Sequence, residues 1–149
     1  MNGFEFDAYA PAQIARRVEE IGVAKARLSW LPLLMLGMLA GAFIGLGALY
    51  YVIVVSDGDL GFAAQRVLGG TVFSLGLLLV VVAGAELFTG NNLLAMAWAD
   101  GKIRSDEVLR NWAIVCVANF AGAAGLALLV FWSGHTSMND GAVARAGGR

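Results

Sequence analysis

An apolar run from Val67 to Ala99 carries a polar interruption at its centre, and this interruption constrains the fold more than any other feature. The run is longer than the roughly 20 residues that one membrane-spanning helix needs. Residues 83–92 read AGAELFTGNN and place a carboxylate, a hydroxyl, two glycines and two asparagines inside it. Non-helical backbone at membrane depth is tolerated only where it is buried in protein or lines a cavity. The pattern predicts a broken helix, with a first half ending near Ala85, a loop through Gly90 and a second half ending near Ala99.

The interrupted segment itself suggests a site for a small anion. Thr89 is predicted to cap the second half-helix, with its hydroxyl within reach of the Asn92 amide. Free amides at a helix start carry partial positive charge and attract anions, and discontinuous helices are typical of transporters. Glu86 has two interpretations: it accepts hydrogen bonds from the free amides of the loop, or it carries a proton or gates the path.

Composition places the chain in a membrane. The 149 residues are 59% hydrophobic and 14% charged, whereas soluble domains carry about 25% charged residues. A single cysteine, Cys116, excludes an intrachain disulfide and is expected to be a small buried residue, and a single histidine, His135, excludes a histidine metal site within one chain. The basic residues are too few for a nucleic-acid surface. No metal, cofactor or nucleic-acid partner is therefore predicted.

The chain divides into three parts. Residues 1–27 are predicted to be a cytoplasmic segment whose helix starts at Pro11 and lies along the membrane interface, with an ordinary solvated helix as the alternative. Residues 28–133 are predicted to contain three spans, with the helix break at about 86–90. Residues 134–149 are predicted to be a polar external tail or a truncated loop. Seven basic residues fall on the side of the N-terminus and three on the other, which predicts a cytoplasmic N-terminus.

The outer two spans carry their own signals. The first is predicted over Leu28–Val55, where Gly37, Gly41 and Gly45 repeat every four residues and predict a face for close helix packing. The third is predicted over Val108–Trp132, with Ser105 as its N-cap and Glu107 in its first turn. Asn119, in the middle of the third span, is either an interhelical anchor or a pore-lining donor.

Four segments together resemble the formate/nitrite transporter family, which includes formate, nitrite and hydrosulfide channels. The first is an N-terminal helix segment, residues 11–15 with Gly22 and Lys25-Ala26, and the second is the glycine-rich first span, residues 36–45. The third is the broken second helix, residues 73–77 and 85–91. The fourth is the third span, with an Asn-Trp motif at 111–112 and an Asn-Phe-Ala-Gly motif at 119–122.

The resemblance implies an all-α, aquaporin-like channel built from two inverted three-helix repeats. This chain matches the N-terminal repeat, which is half of such a channel. The family assembles as a pentamer with one pore in each protomer. By resemblance, Phe73 narrows the outer pore, Leu77, Leu87 and Phe88 narrow the inner pore, and Thr89 lies in the loop near the central site.

Asn91 is assigned to the same substrate pathway, and Glu86 and Asn119 are assigned to loop support or proton linkage. The expected function is a channel or transporter for small monovalent anions such as formate or nitrite, in the inner membrane of a bacterium or archaeon. An enzyme is not expected. Two alternatives are a non-transporting remnant that packs against full-length relatives, and a half-transporter that pairs with an inverted copy of itself.

Overall fold

The computed structural model describes residues 9–148, and this part of the chain is helical with no β-strand. Predictions for residues 1–8 and 149 lie outside the described residues. Within residues 9–148 there are seven α-helices and one short 3-10 helix, His135–Ser137; the α-helices are α1 Pro11–Ala26, α2 Trp30–Val55, α3 Phe62–Ala83, α4 Phe88–Asn91, α5 Leu94–Ala99, α6 Ser105–Trp132 and α7 Ala142–Gly147.

Within residues 9–148, three helices are long and apolar enough to cross a membrane, which confirms the predicted number of spans. They are α2, α3 and α6, with 26, 22 and 28 residues and a mean hydropathy of 2.2, 2.1 and 2.3 in their most apolar windows. At 1.5 Å per residue, even the shortest exceeds the roughly 30 Å of a hydrocarbon core. The chain is therefore an all-α protein with three candidate membrane helices.

Helix α2 is central and packs against α6 through glycines. A Cβ atom added at Gly41 would lie 2.7 Å from the carbonyl carbon of Asn119, and one added at Gly122 would lie 2.7 Å from the carbonyl carbon of Met38. Gly37 and Gly45 also face α6, where an added Cβ would lie 2.7 Å from the Ala118 Cβ and 2.9 Å from Leu126 Cδ2. The small residues allow the two backbones to touch directly.

The opposite side of α2 meets α3 in the same way. A Cβ atom at Gly47 would lie 2.6 Å from the Phe73 carbonyl oxygen, and one at Gly76 would lie 2.7 Å from the Phe43 carbonyl oxygen. A small apolar cluster of Ala40, Val80 and Ala85 closes this interface near the end of α3. These contacts hold α3 against α2 along its second half.

Helix α3 ends at Ala83 because Gly84 adopts a left-handed conformation with φ of 61°. The Ala85 amide then donates to the Val80 carbonyl at 2.9 Å, which is the hydrogen bond of a glycine-terminated helix end. Residues 84–87 are not helical, and α4 starts at Phe88. We call residues 84–87 the interruption.

The start of α6 corrects one prediction, because its N-cap is Arg104 and not Ser105. The Glu107 carboxylate accepts a hydrogen bond from the Arg104 amide at 2.8 Å, so the acid of the first turn supplies the cap. The Ser105 hydroxyl is used elsewhere, since it accepts a hydrogen bond from Trp98 Nε1 at 2.9 Å. Cys116 on α6 is exposed on this chain, and the expectation that it is buried is wrong.

Helix α1 packs through its small residues. Gly22 and Ala26 are buried, and a Cβ at Gly22 would lie 3.3 Å from the Ala97 Cβ of α5. Ile14 and Ile21 on the other face are exposed, so the predicted contact of α1 with the membrane interface stays a prediction. At the other end of the chain, residues 134–148 include α7, whose Val143 is buried.

Lys102, in the turn after α5, ties α1 to this turn. Its ammonium group pairs with the Glu19 carboxylate of α1, and with the Asp100 carboxylate at 2.9 Å. The pKa of Lys102 is raised above its ordinary value, first by the hydrogen bond to Glu19 and second by the hydrogen bond to Asp100. A raised folded-state pKa means that the stabilisation is complete below the unfolded pKa and disappears as the pH rises through the folded pKa.

The variant Lys102→Met should therefore have a slightly lower unfolding midpoint than the parent chain at neutral pH. The difference should shrink to nothing in strongly alkaline buffer, because the parent ammonium then loses its proton. Thermal unfolding in detergent micelles across this pH range would measure it, and a difference independent of pH would contradict the assignment.

Candidate functional site

The interruption is held by one side chain from α6. Asn119 Nδ2 donates to the Glu86 carbonyl at 2.9 Å and to the Gly37 carbonyl at 2.8 Å, and Asn119 Oδ1 accepts from the Phe88 amide at 2.9 Å. The Glu86 amide donates to the Leu36 carbonyl at 3.2 Å. Because Asn119 lies near the middle of α6, the interruption lies level with the middle of that helix. Of the two interpretations of Asn119, the contacts correspond to the anchor.

The Glu86 carboxylate is buried and paired with a lysine. Lys25 Nζ lies 2.8 Å from Glu86 Oε1, and the two side chains are 27% and 5% exposed. The other carboxylate oxygen, Glu86 Oε2, is buried and accepts no hydrogen bond from the described residues. The expectation that loop amides donate to this carboxylate is wrong, because the α1 ammonium takes that position and Asn119 occupies the Phe88 amide. The half-buried ammonium group balances the charge of the buried carboxylate.

Two asparagines extend this pair into a ring of hydrogen bonds. Lys25 Nζ also donates to Asn91 Oδ1 at 3.2 Å, and Asn91 Nδ2 donates to Asn111 Oδ1 at 2.9 Å. Asn111 Nδ2 donates to the Lys25 carbonyl at 3.1 Å, which closes the ring. Asn91 and Asn111 are fully buried. We call Lys25, Glu86, Asn91 and Asn111 the polar cluster. It joins α1, the interruption, α4 and α6.

Helix α4 is also fixed to α6 by Trp112. Trp112 Nε1 donates to the Asn91 carbonyl at 2.9 Å, and its ring meets that of Phe88 edge to face, with centroids 6.4 Å apart. Phe88 is half-buried in this contact. The segment after the interruption is therefore held by both its backbone and its side chains.

Thr89 is exposed in the first turn of α4, and its predicted role as N-cap is wrong. The N-cap is Leu87, whose carbonyl accepts from the Asn91 amide at 3.0 Å, and no side chain of α4 caps the helix. Asn119 satisfies the first free amide instead, so the helix can begin two residues earlier than predicted. The predicted loop through Gly90 is correspondingly shorter.

The remaining predicted pathway residues divide between two places. Leu87 is half-buried against the apolar cluster at the end of α3. Phe73 and Leu77 lie on α3, away from the polar cluster, with 41% and 52% of their surface exposed. Asn91 is brought to the interruption, but both polar atoms of its side chain already have protein partners.

Two residues of the polar cluster were missed as site residues by sequence reasoning. In the sequence, Lys25 serves as a topology signal and as part of a family motif, and Asn111 serves only as part of a family motif. A buried acid requires a cation, so Glu86 itself was the signal that could have pointed to a lysine in α1. Among the described residues, no group of three His, Cys, Asp or Glu side chains could hold a metal ion.

A model of the formate/nitrite transporter family matches residues 12–147. Formate channel FocA of Escherichia coli (strain K12) is 37% identical over 137 residues, which cover 91% of this chain and 48% of the relative. Formate channel BtFdhC of Bacillus thuringiensis is 44% identical over 117 residues, covering 77% and 45%. Formate channel FocA of Haemophilus influenzae is 32% identical over 135 residues, covering 90% and 48%. The chain thus spans about half the length of the curated relatives it matches.

Proposed function

The chain belongs to the formate/nitrite transporter family, as the sequence resemblance predicts, and from this premise we propose that its three long helices form one wall of a channel for small monovalent anions such as formate. Nitrite is a second candidate substrate. The relatives named above are formate channels, which supports the substrate class. Transport, and not catalysis, is the proposed activity.

One observation carries the proposal: the interruption is stabilised by buried polar groups although it lies among apolar helices. The buried Glu86 carboxylate is paired there with the half-buried Lys25, and Asn119 makes three hydrogen bonds to the backbone around it. Ionisable groups inside membrane segments are costly and are a mark of functional sites. We propose that α3, α4 and α5 together are one membrane helix broken near the midplane.

The proposed pathway follows the exposed face of α3 and ends at Thr89. Phe73 and Leu77 would narrow it and remove water from the anion, and Leu87 and Phe88 would form the inner constriction next to the interruption. The Phe88 amide is already bonded to Asn119, so the Thr89 hydroxyl is the proposed donor to the anion. The polar cluster, including Asn91, would position this loop without contacting the anion.

The second wall would be an inverted three-helix unit packed on the exposed apolar faces of α2, α3 and α6. In the most apolar part of each of these helices only 17% of the residues are buried, which leaves large apolar surfaces for lipid and for such a unit. We propose assembly as a homo-oligomer, with a pentamer as the family precedent, in a bacterial or archaeal inner membrane with the N-terminus in the cytoplasm.

The variant Thr89→Val tests the proposed donor. We expect formate flux into liposomes containing the chain, alone or with a second three-helix unit of the family, and about 10- to 150-fold lower flux for the variant. A hydrogen bond to a charged partner contributes about 1.5–3 kcal/mol, which sets this magnitude. A stopped-flow assay with an entrapped pH dye would record the flux.

Thr71→Val is the matched control, because Thr71 is also exposed on a helix and its hydroxyl donates to the Val67 carbonyl at 2.8 Å. This variant should transport like the parent chain. Flux that is unaffected by Thr89→Val would remove the assigned role of the hydroxyl. No formate flux under either condition would favour a non-transporting assembly partner.

A further inference from the structure

Helix α3 contains a single charged residue, Arg66. Phe73 follows it by seven residues and Leu77 by eleven, so at 100° per residue all three lie within about 40° of one another on the helix surface. Gly70 lies between them on the same face, and nothing lies within 4 Å of the point where its Cβ would be. The exposed face of α3 therefore starts with a guanidinium group and continues as an open apolar stripe.

The Arg66 side chain is positioned without being neutralised. Its guanidinium carbon lies 5.1 Å from the centroid of the Phe62 ring, and Nη1 donates to the Tyr51 hydroxyl of α2. Among residues 9–148, no carboxylate lies within ion-pair distance of it. Asp57, in the preceding turn, accepts instead from the Asp59 amide at 3.0 Å.

We propose that Arg66 is an anion-recruiting site at the end of α3 opposite the interruption, and that it binds a small carboxylate before the anion reaches Phe73. This inference rests on the proposed function, because it deepens the pathway assigned to the same face. A guanidinium group presents donors in a planar fork that matches the two oxygens of a carboxylate. Phe73 lies about 10 Å further along the helix axis, on the same face as the proposed site.

A purely structural role explains this arrangement less well. A cation near a helix N-terminus gains nothing from the helix dipole, which favours cations at the C-terminal end. Tyr51 and Phe62 orient the guanidinium group, but neither supplies a negative charge. Because Arg66 remains exposed, its charge acts on ions outside the protein and is weakened by salt.

The experiment compares Arg66→Gln, Arg66→Lys and the control Arg145→Gln in formate flux assays. Arg145 is an arginine on α7 that donates to the Asp140 carbonyl at 3.0 Å. At low formate concentration and low salt, Arg66→Gln should reduce flux about two- to five-fold, the range of an exposed ion pair. Flux at saturating formate should be nearly unchanged, and the variant should lose most of the salt dependence of the parent chain. Arg66→Lys should retain most of the effect, and Arg145→Gln should match the parent.

Binding is measured separately from flux. Addition of potassium formate to the chain in detergent micelles should shift the Arg66 Nε–H resonance in an NMR spectrum more than equimolar chloride does. Absence of this shift, together with normal flux through Arg66→Gln, would overturn the anion site and leave the proposed channel intact. A formate-induced shift without flux would keep the site and reject the channel.

Vesicle composition separates the substrate anion from lipid headgroups. The flux comparison is repeated in purely zwitterionic vesicles and in vesicles containing an anionic phospholipid. An effect of Arg66→Gln in both compositions supports recruitment of formate. An effect confined to anionic vesicles would assign Arg66 to a lipid phosphate and would contradict the proposal. The proposal would also be contradicted if Arg66→Gln lost the same fraction of flux at all formate concentrations and had a lowered unfolding temperature, because Arg66 would then have a structural role.

Discussion

Lys25→Met should lower the free energy of unfolding by about 3–5 kcal/mol, because it leaves the buried Glu86 carboxylate without its cation. The two side chains are unequally buried, at 27% and 5% exposed. Glu86→Gln should therefore cost less, since the remaining ammonium group can reach solvent. The double variant should recover much of the stability lost by Lys25→Met, and the coupling energy follows from a double-mutant cycle measured by denaturation in mixed micelles.

Arg27→Met is the control for this cycle. Arg27 lies two residues from Lys25 and has an ion pair of its own, 3.8 Å from the Glu107 carboxylate, but its side chain is 64% exposed. An exposed pair contributes about 0–1 kcal/mol, so this variant should be close to the parent chain. Two results would contradict this prediction: an equal loss of unfolding free energy for Lys25→Met and Arg27→Met, or a double variant no more stable than Lys25→Met alone. Either would show that burial does not increase the contribution of the Lys25–Glu86 pair to stability.

Gly122→Ala should separate α2 from α6 and cost about 1–3 kcal/mol or more. The added methyl group would lie 2.7 Å from the Met38 carbonyl carbon and closer still to its oxygen. The obstacle is backbone, which cannot rotate away as a side chain can. The same denaturation assay measures the loss, and a disulfide between engineered cysteines on α2 and α6 would report the separation.

Gly125→Ala is the matched substitution one turn further along α6. Nothing lies within 4 Å of the point where its added methyl group would be, so only the helix propensity changes. Alanine is favoured over glycine in a helix by about 1 kcal/mol, and this variant should be neutral or slightly more stable. If Gly122→Ala were as stable as Gly125→Ala, the close contact of the two helices would not be required for folding.

The three long helices could be predicted from the sequence because their signal is local. Each is a nearly uncharged apolar stretch, and the structure places the ends of the outer two close to the predicted residues. Pro11 likewise begins α1 as predicted, since a proline at that position loses no hydrogen bond. The cap of α4 could not be predicted locally, because the group that satisfies the Phe88 amide comes from Asn119, 31 residues later.

Part of the site could also be predicted, because the signal of one of its residues is local in the sequence. Glu86 stands out in an apolar run, so its importance is readable from composition. Its partner Lys25 is 61 residues earlier, in a helix whose basic residues all look alike as topology signals. Nothing local distinguishes Lys25 from Arg27, and the packing of α1 on α5, together with the bond from Asn111 to the Lys25 carbonyl, brings the lysine to the interruption. Long-range partners of this kind require the tertiary arrangement.

The hydrogen bonds of Asn119 also bear on the order in which the protein is made. The Glu86 carbonyl and the Phe88 amide receive their partners from α6, the last of the three long helices to leave the ribosome. Lys25, in contrast, needs the packing of α1 on α5 to reach Glu86, and α5 is synthesised before α6. During biogenesis the charge of the interruption is therefore balanced once α5 has been made, whereas its backbone stays incompletely bonded until α6 is inserted. Insertion of α6 is accordingly the step that completes the assembly of this three-helix unit.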